Sequence, residues 1–200
     1  MSISGNYNME EREVKIVEYL FQKENIDFLS VEKIKEDRDM ADVRVNFKNG
    51  ASITVEVKEE RYKNRFEKYK DLGIDFISAF DFKDKSKPIT GLQSPKMLNT
   101  FINNIDVKKL GKIYYSKADL WLFFVVDGKK LIWYGFFDGK GIKSDEFRSY
   151  LKTSCKFSAN KKSNYKLKDS AQSAVFFINS QNPKLLKHKV DLKDYLSDII

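Results

Sequence analysis

Two short runs, Asp42 to Phe47 (DVRVNF) and Ala51 to Lys58 (ASITVEVK), alternate apolar and polar side chains strictly, and only Lys48, Asn49 and Gly50 separate them. Alternation of period two belongs to a strand with one buried face, and two such runs this close predict a hairpin. Asn-Gly is the strongest two-residue turn signal. A two-residue loop, however, sets Val43 against Glu56 and Val45 against Thr54, mixing apolar and polar residues on both faces. A three-residue loop with Gly50 in the left-handed conformation instead pairs Phe47 with Ala51, Val45 with Ile53 and Val43 with Val55. One face is then wholly apolar, and the other carries Arg44 opposite Thr54 and Asp42 opposite Glu56. Because a one-residue slip exchanges the faces, burial selects this register.

The register has a chemical by-product. Asp42 and Glu56 stand directly opposite, about 5 Å apart at Cβ, and Lys58 follows two residues on along the same face. Two facing carboxylates repel unless positive charge sits between them. Lys58 partly supplies it, and a bound Mg²⁺ would do so better, since hard divalent ions take oxygen ligands and commonly use one or two carboxylates. A metal held there lowers the pKa of a bound water and stabilises charge growing on a phosphate, while Lys58 orients the nucleophile. These residue types fit phosphodiester hydrolysis.

Around the hairpin the pattern predicts a helix over Glu10 to Glu24, with Glu13, Ile16, Val17, Leu20 and Glu24 at helical spacing. It then predicts a charged helix from Glu59 to Leu72 ended by Gly73, and a strand from Ile74 to Phe82. A loop follows over Lys83 to Pro95, then a helical segment from Lys96 to Tyr115. Strands over Leu120 to Val126 and Leu131 to Phe137 come next, then a helix over Ser144 to Leu151 capped by Ser144. A loop-like basic stretch leads to a strand over Ala174 to Asn179 and a last helix from about Leu192. This order is a mixed α/β fold, read as a single domain over residues 1–200, with a core at about 10–137 and a basic segment at about 140–200.

Charge is concentrated in that segment. From Lys140 to Val190 there are eleven Lys plus Arg148 against Asp145, Glu146 and Asp169, a net +9 in a chain of net +8. The remainder is close to neutral. A basic stretch on a neutral domain is the electrostatic footprint of a nucleic-acid binder, and Lys156, Lys161, Lys162, Lys166 and Lys168 are the candidate phosphate contacts. Single copies of Cys155 and His188 exclude a disulfide framework, a thiolate zinc site and most histidine chemistry. No run approaches the roughly 20 apolar residues of a membrane span, and Met1 to Glu11 lacks a signal-peptide stretch. The expectation is a soluble cytoplasmic protein. His188 reads as a surface residue, Cys155 as inert and partly buried, Asp119 as structural, and Trp121 and Trp133 as core.

Ala41-Asp42, thirteen intervening residues and then Glu56-Val57-Lys58, behind a first helix bearing glutamates, resemble the PD-(D/E)XK nuclease superfamily. The acidic-x-Lys tripeptide alone carries little, since it recurs at Glu13, Asp81, Asp106, Asp127, Asp138 and Asp191. Glu56 differs in lying inside an alternating strand with an Asp in facing register. The resemblance spans about Glu10 to Val126. It implies a restriction-endonuclease-like core of helix, three strands, helix and strand, and a Mg²⁺- or Mn²⁺-dependent nuclease acting on DNA. On that resemblance Asp42 is the principal metal ligand, Glu56 the second and the Val57 carbonyl a third. Lys58 positions the attacking water, and Glu13, with Glu10 as its rival, is the first-helix glutamate. Ser116-Lys117-Ala118-Asp119-Leu120-Trp121 is similar to the strand entry of phage-type members. Ala41 replaces the usual proline, and no Gln follows on the next helix, which argues against the exonuclease branch that carries one. A non-cleaving DNA- or protein-binding member of the fold, an RNA-directed nuclease and a homodimeric state all stay open.

Overall fold

The computed structural model describes residues 9–34, 41–60, 63–84, 86, 88–127, 130–161 and 172–200. In chain order the elements are α1 (Met9–Lys23), β1 (Ser30–Lys33), β2 (Val43–Asn46), β3 (Ser52–Glu60), α2 (Lys63–Tyr69), β4 (Asp71–Phe82), β5 (Gly91–Gln93), a 3₁₀ turn (Pro95–Met97) and α3 (Leu98–Asn103). They continue with β6 (Ile105–Leu110), α4 (Lys112–Tyr115), β7 (Leu120–Asp127), β8 (Lys130–Asp138), α5 (Gly139–Ile142), α6 (Asp145–Ser154), β9 (Lys156–Lys161), β10 (Gln172–Asn179), α7 (Pro183–Leu186), β11 (Lys189–Val190) and α8 (Leu192–Leu196). They form a mixed α/β structure of two compact units. The first comprises Met1–Lys68, Ser116–Ile142 and Lys187–Ile200, the second Tyr69–Tyr115 and Lys143–Leu186.

The first unit is built on a sheet of order β1-β2-β3-β7-β8-β11. Its pairs are antiparallel except β3 with β7, which run parallel with Glu56 beside Trp121 and Lys58 beside Phe123. A parallel pair needs a crossover connection, and here the chain passes through α2 and the Tyr69–Tyr115 part of the second unit before returning at Ser116. The apolar stripe of α1, Ile16, Val17, Leu20 and Phe21, shares one buried cluster with Val43, Val45, Val55, Val57, Leu120, Leu122, Phe124 and, from α8, Leu192 and Leu196. That cluster consumes the apolar face of the hairpin. Each such side chain contributes about 1.5–3 kcal/mol when fully buried, so the register is fixed by its cost of slipping.

The second unit is an antiparallel sheet of order β5-β9-β10-β4-β6. Phe76 of β4 stacks on Phe176 of β10 with centroids 4.0 Å apart, and Phe101 and Phe157 close around it. Ser144 caps α6 by accepting the Phe147 N–H at 3.2 Å, as its sequence position predicts.

Five expectations are corrected. Glu59 and Glu60 extend β3, because β7 offers Phe124 and Val125 as ladder partners. The second helix stops at Tyr69, where Lys70 takes φ 56°, and Gly73 lies within β4. Lys96 to Tyr115 is not one helix, since Ile105 to Leu110 pairs as an edge strand on β4. Within the basic stretch, Lys156 to Lys161 is a strand beside β10. The expected loop after Phe82 also contains the short β5.

Candidate active site on the hairpin

The observed register is Val43 with Val55, Arg44 with Thr54 and Val45 with Ile53. The Phe47 N–H donates to the Ala51 carbonyl at 2.9 Å, and Gly50 has φ +87°. The three-residue loop and the separation of faces therefore hold as the burial argument requires. Asp42 stands one residue beyond the last ladder pair. Its N–H donates to the Val55 carbonyl at 3.1 Å, and its Oδ2 accepts the Val57 N–H at 2.8 Å. The side chain thus reaches along β3 to the residue between Glu56 and Lys58.

In a strand the N–H and C=O of one residue point to the same edge. Val55 and Val57 turn theirs towards β2, as the two bonds to Asp42 demonstrate. The Val57 carbonyl accordingly faces the same edge as the Asp42 carboxylate.

Glu56 is buried, with its side chain wholly shielded from solvent, and its Oε1 is 2.6 Å from the Lys58 Nζ. The Lys58 ammonium also sits 5.9 Å from the centre of the Trp121 ring, within the range where an aromatic face attracts a cation. A carboxylate buried this completely is tolerable only when paired, and Lys58 is that pair. Ser116 is buried as well. It accepts the Ala118 N–H at 3.3 Å and makes a long contact of 3.5 Å from Oγ to the Glu56 Oε2. Asp119 locks the adjoining strand entry, its Oδ2 accepting both the N–H and the hydroxyl of Thr54 at 2.8 and 2.7 Å. That is the structural role its position implies.

Asp42, Glu56, Val57 and Lys58 are thus brought together. Glu13 extends from α1 to an ion pair with Lys33 of β1. Among the described residues no group of three or more His, Cys, Asp or Glu side chains is arranged to hold a metal, so Glu13 does not complete such a group with Asp42 and Glu56. Of the candidate phosphate contacts, Lys156 is exposed at the start of β9 and Lys161 ends that strand. Lys162, Lys166 and Lys168 lie outside the described residues. His188 is half-buried rather than a surface residue, because Gly141 leaves room for its ring. Cys155 is buried, and burial pushes its thiol up to about 12. Trp121 is fully buried and Trp133 half-buried against Phe66. The packing of Ser116 and Trp121 on Glu56 and Lys58 was not predicted. Its sequence signal is the run from Ser116 to Trp121, whose strand enters parallel to β3.

Among the described residues no helix is long and apolar enough to cross a membrane. Comparison with protein-family models, with curated proteins and with solved structures returns no match.

Proposed function

We propose that the chain is a divalent-metal-dependent nuclease of the PD-(D/E)XK type that hydrolyses DNA phosphodiester bonds. The observation that carries this reading is the placement of Asp42, the Val57 main chain, Glu56 and Lys58 on adjoining positions of two paired strands. Topology supports it too: α1, the antiparallel strands β1, β2 and β3, and α2 follow in order, and β7, reached after the Tyr69–Tyr115 part of the second unit, pairs parallel to β3. The basic stretch and Lys156 support a polyanionic substrate.

The donor set suits Mg²⁺ or Mn²⁺. Two carboxylates and a main-chain carbonyl are hard oxygen ligands, and a magnesium ion ordinarily completes its shell with waters. Asp42, Glu56 and the Val57 carbonyl would hold the ion, which when bound supplies Lewis-acid stabilisation of the phosphate and a more acidic water. The Val57 N–H orients the Asp42 carboxylate. Lys58, held between Glu56 and the Trp121 ring, presents a donor that orients a nucleophilic water or the phosphate oxygen.

The test is incubation with supercoiled, linear, single-stranded and branched DNA and with RNA, with and without Mg²⁺ or Mn²⁺. Glu56→Gln serves as control. Metal-dependent cleavage lost in the variant supports the reading. Binding to DNA without cleavage under every metal would instead identify a non-cleaving member of the fold, and cleavage of RNA alone an RNA-directed enzyme.

A further inference from the structure

The second unit gathers cations around aromatic rings. Arg148 and Lys152, four residues apart on α6 and so on one helical face, lie over the ring of Tyr114 at 5.5 and 5.7 Å. Lys109, at the end of β6, lies 5.7 Å from the ring of Tyr115. Tyr114 and Tyr115 are consecutive, with Cα atoms about 3.8 Å apart, so one turn of α4 collects three cations.

The manner of anchoring separates Lys109 and Lys152 from the carboxylate-paired lysines of the chain. Lys48 is held by Asp27 and Lys184 by Glu146, and each of those carboxylates cancels the charge it positions. An aromatic face attracts a cation through its quadrupole and leaves the charge intact. Lys109 and Lys152 are exposed and form no ion pair among the described residues. Arg148 shares the strongly exposed Asp145 at 2.5 Å. At Lys109 and Lys152 the result is positive charge that is both positioned and uncompensated, which is what a phosphate-binding surface requires, and Arg148 adds a partly compensated charge beside them.

We infer that Lys109, Arg148 and Lys152, steadied by Tyr114 and Tyr115, form a nucleic-acid-binding surface on the second unit that grips the phosphodiester backbone without reading sequence. This surface is independent of the hairpin chemistry. With their faces occupied by cations and only partly exposed, the two tyrosines act as positioning residues rather than as stacking platforms for bases.

The experiment is fluorescence anisotropy with a labelled 30-base-pair DNA duplex in EDTA, across a salt series. Lys109→Ala with Lys152→Ala is expected to weaken binding to two unrelated sequences alike. The same variant makes the log–log salt slope shallower by about 2, since each lost phosphate contact on duplex DNA removes about 0.9. Lys48→Ala with Lys184→Ala removes the same formal charge from carboxylate-paired positions and is expected to leave the slope nearly unchanged. Restoring charge with Lys109→Arg and Lys152→Arg restores the slope. An equal change in both alanine pairs would reduce the effect to net charge and overturn the inference. So would an unchanged slope in the first pair, or retention on phosphatidylserine vesicles with no binding to DNA. Loss of slope in a protein that never cleaves DNA would leave this surface standing while removing the nuclease reading.

Discussion

The Asp42 carboxylate accepts the main-chain N–H of Val57 at 2.8 Å, so one acidic side chain both ends the pairing of β2 with β3 and lies beside the peptide that joins Glu56 to Lys58. Its structural and chemical roles can be separated by substitution. Asn in place of Asp42 keeps an oxygen acceptor for that N–H, whereas Ala removes it. A hydrogen bond to a charged group contributes about 1.5–3 kcal/mol, so Asp42→Ala is expected to lose stability of that order in urea melts and Asp42→Asn much less. Under the proposed reading both variants lose metal-dependent cleavage. Wild-type cleavage by Asp42→Ala would refute the metal assignment.

The Glu56 and Lys58 pair yields a different signature. Removing one member of a buried pair strands the other charge, at about 3–5 kcal/mol, and the partial exposure of Lys58 places Lys58→Met near the lower end. Adding Glu56→Gln to Lys58→Met should recover part of that loss, a coupling that chemical denaturation of the two single variants and the double variant measures. Calorimetric titration with Mg²⁺ is expected to show binding retained in Lys58→Met and weakened in Glu56→Gln, with turnover lost in both. Full turnover by Lys58→Met would remove the lysine from the mechanism.

What the sequence makes legible follows from how each element is stabilised. The hairpin can be read to the residue because burial of Val43, Val45, Ile53 and Val55 penalises every other register. Strand β6 escapes such reading. Of Ile105 to Leu110 only Ile105 is buried, so β6 is held by main-chain pairing to β4, which leaves no periodic trace. Strand β9 is hidden by its lysines, although Phe157 and Ala159 are buried. The end of α2 escapes as well, since Lys70 takes the left-handed conformation ordinarily assigned to a glycine such as Gly73. The site is legible as far as Asp42, Glu56 and Lys58, all local to the hairpin. Ser116 and Trp121 join it through β7, and the rings of Tyr114 and Tyr115 meet Arg148, Lys152 and Lys109 through tertiary structure that spacing does not encode.

Two glycines should respond to alanine for different reasons. At Gly50 a Cβ meets nothing within 4 Å, but φ is +87°, so the cost is conformational, roughly 1–2 kcal/mol. At Gly111 a Cβ would lie 2.1 Å from the Asp75 carbonyl oxygen, main chain that cannot turn aside. Gly111→Ala is expected to cost more than the roughly 1–3 kcal/mol of ordinary overpacking. It should also loosen the β4 and β6 amides in hydrogen exchange while Gly50→Ala leaves them protected. A milder effect at Gly111 than at Gly50 would contradict the packing of α4 on β4.

Cys155 supplies a prediction in pH. Burial, followed by the nearby negative charge of Asp71, pushes its thiol up to about 12 from an ordinary 9.0. The thiolate is the reactive form, so a disulfide exchange reagent at pH 8 should leave the folded protein unlabelled and react promptly once urea unfolds it. The same shift links stability to pH. With its pKa raised on folding, the native state holds the proton more tightly than the unfolded chain. The contribution is therefore fully present below about pH 9 and is lost as pH rises towards 12. Tyrosines and lysines titrate in that window too, so the measurement is the difference between wild type and Cys155→Ala across pH 8 to 11. The wild type is expected to lose stability more steeply than the variant. Asp71→Asn should reduce the difference only slightly, because burial is the larger cause. Parallel stability curves for wild type and Cys155→Ala, or rapid labelling of the native thiol at pH 8, would place Cys155 outside the buried environment that α6 and β9 make for it.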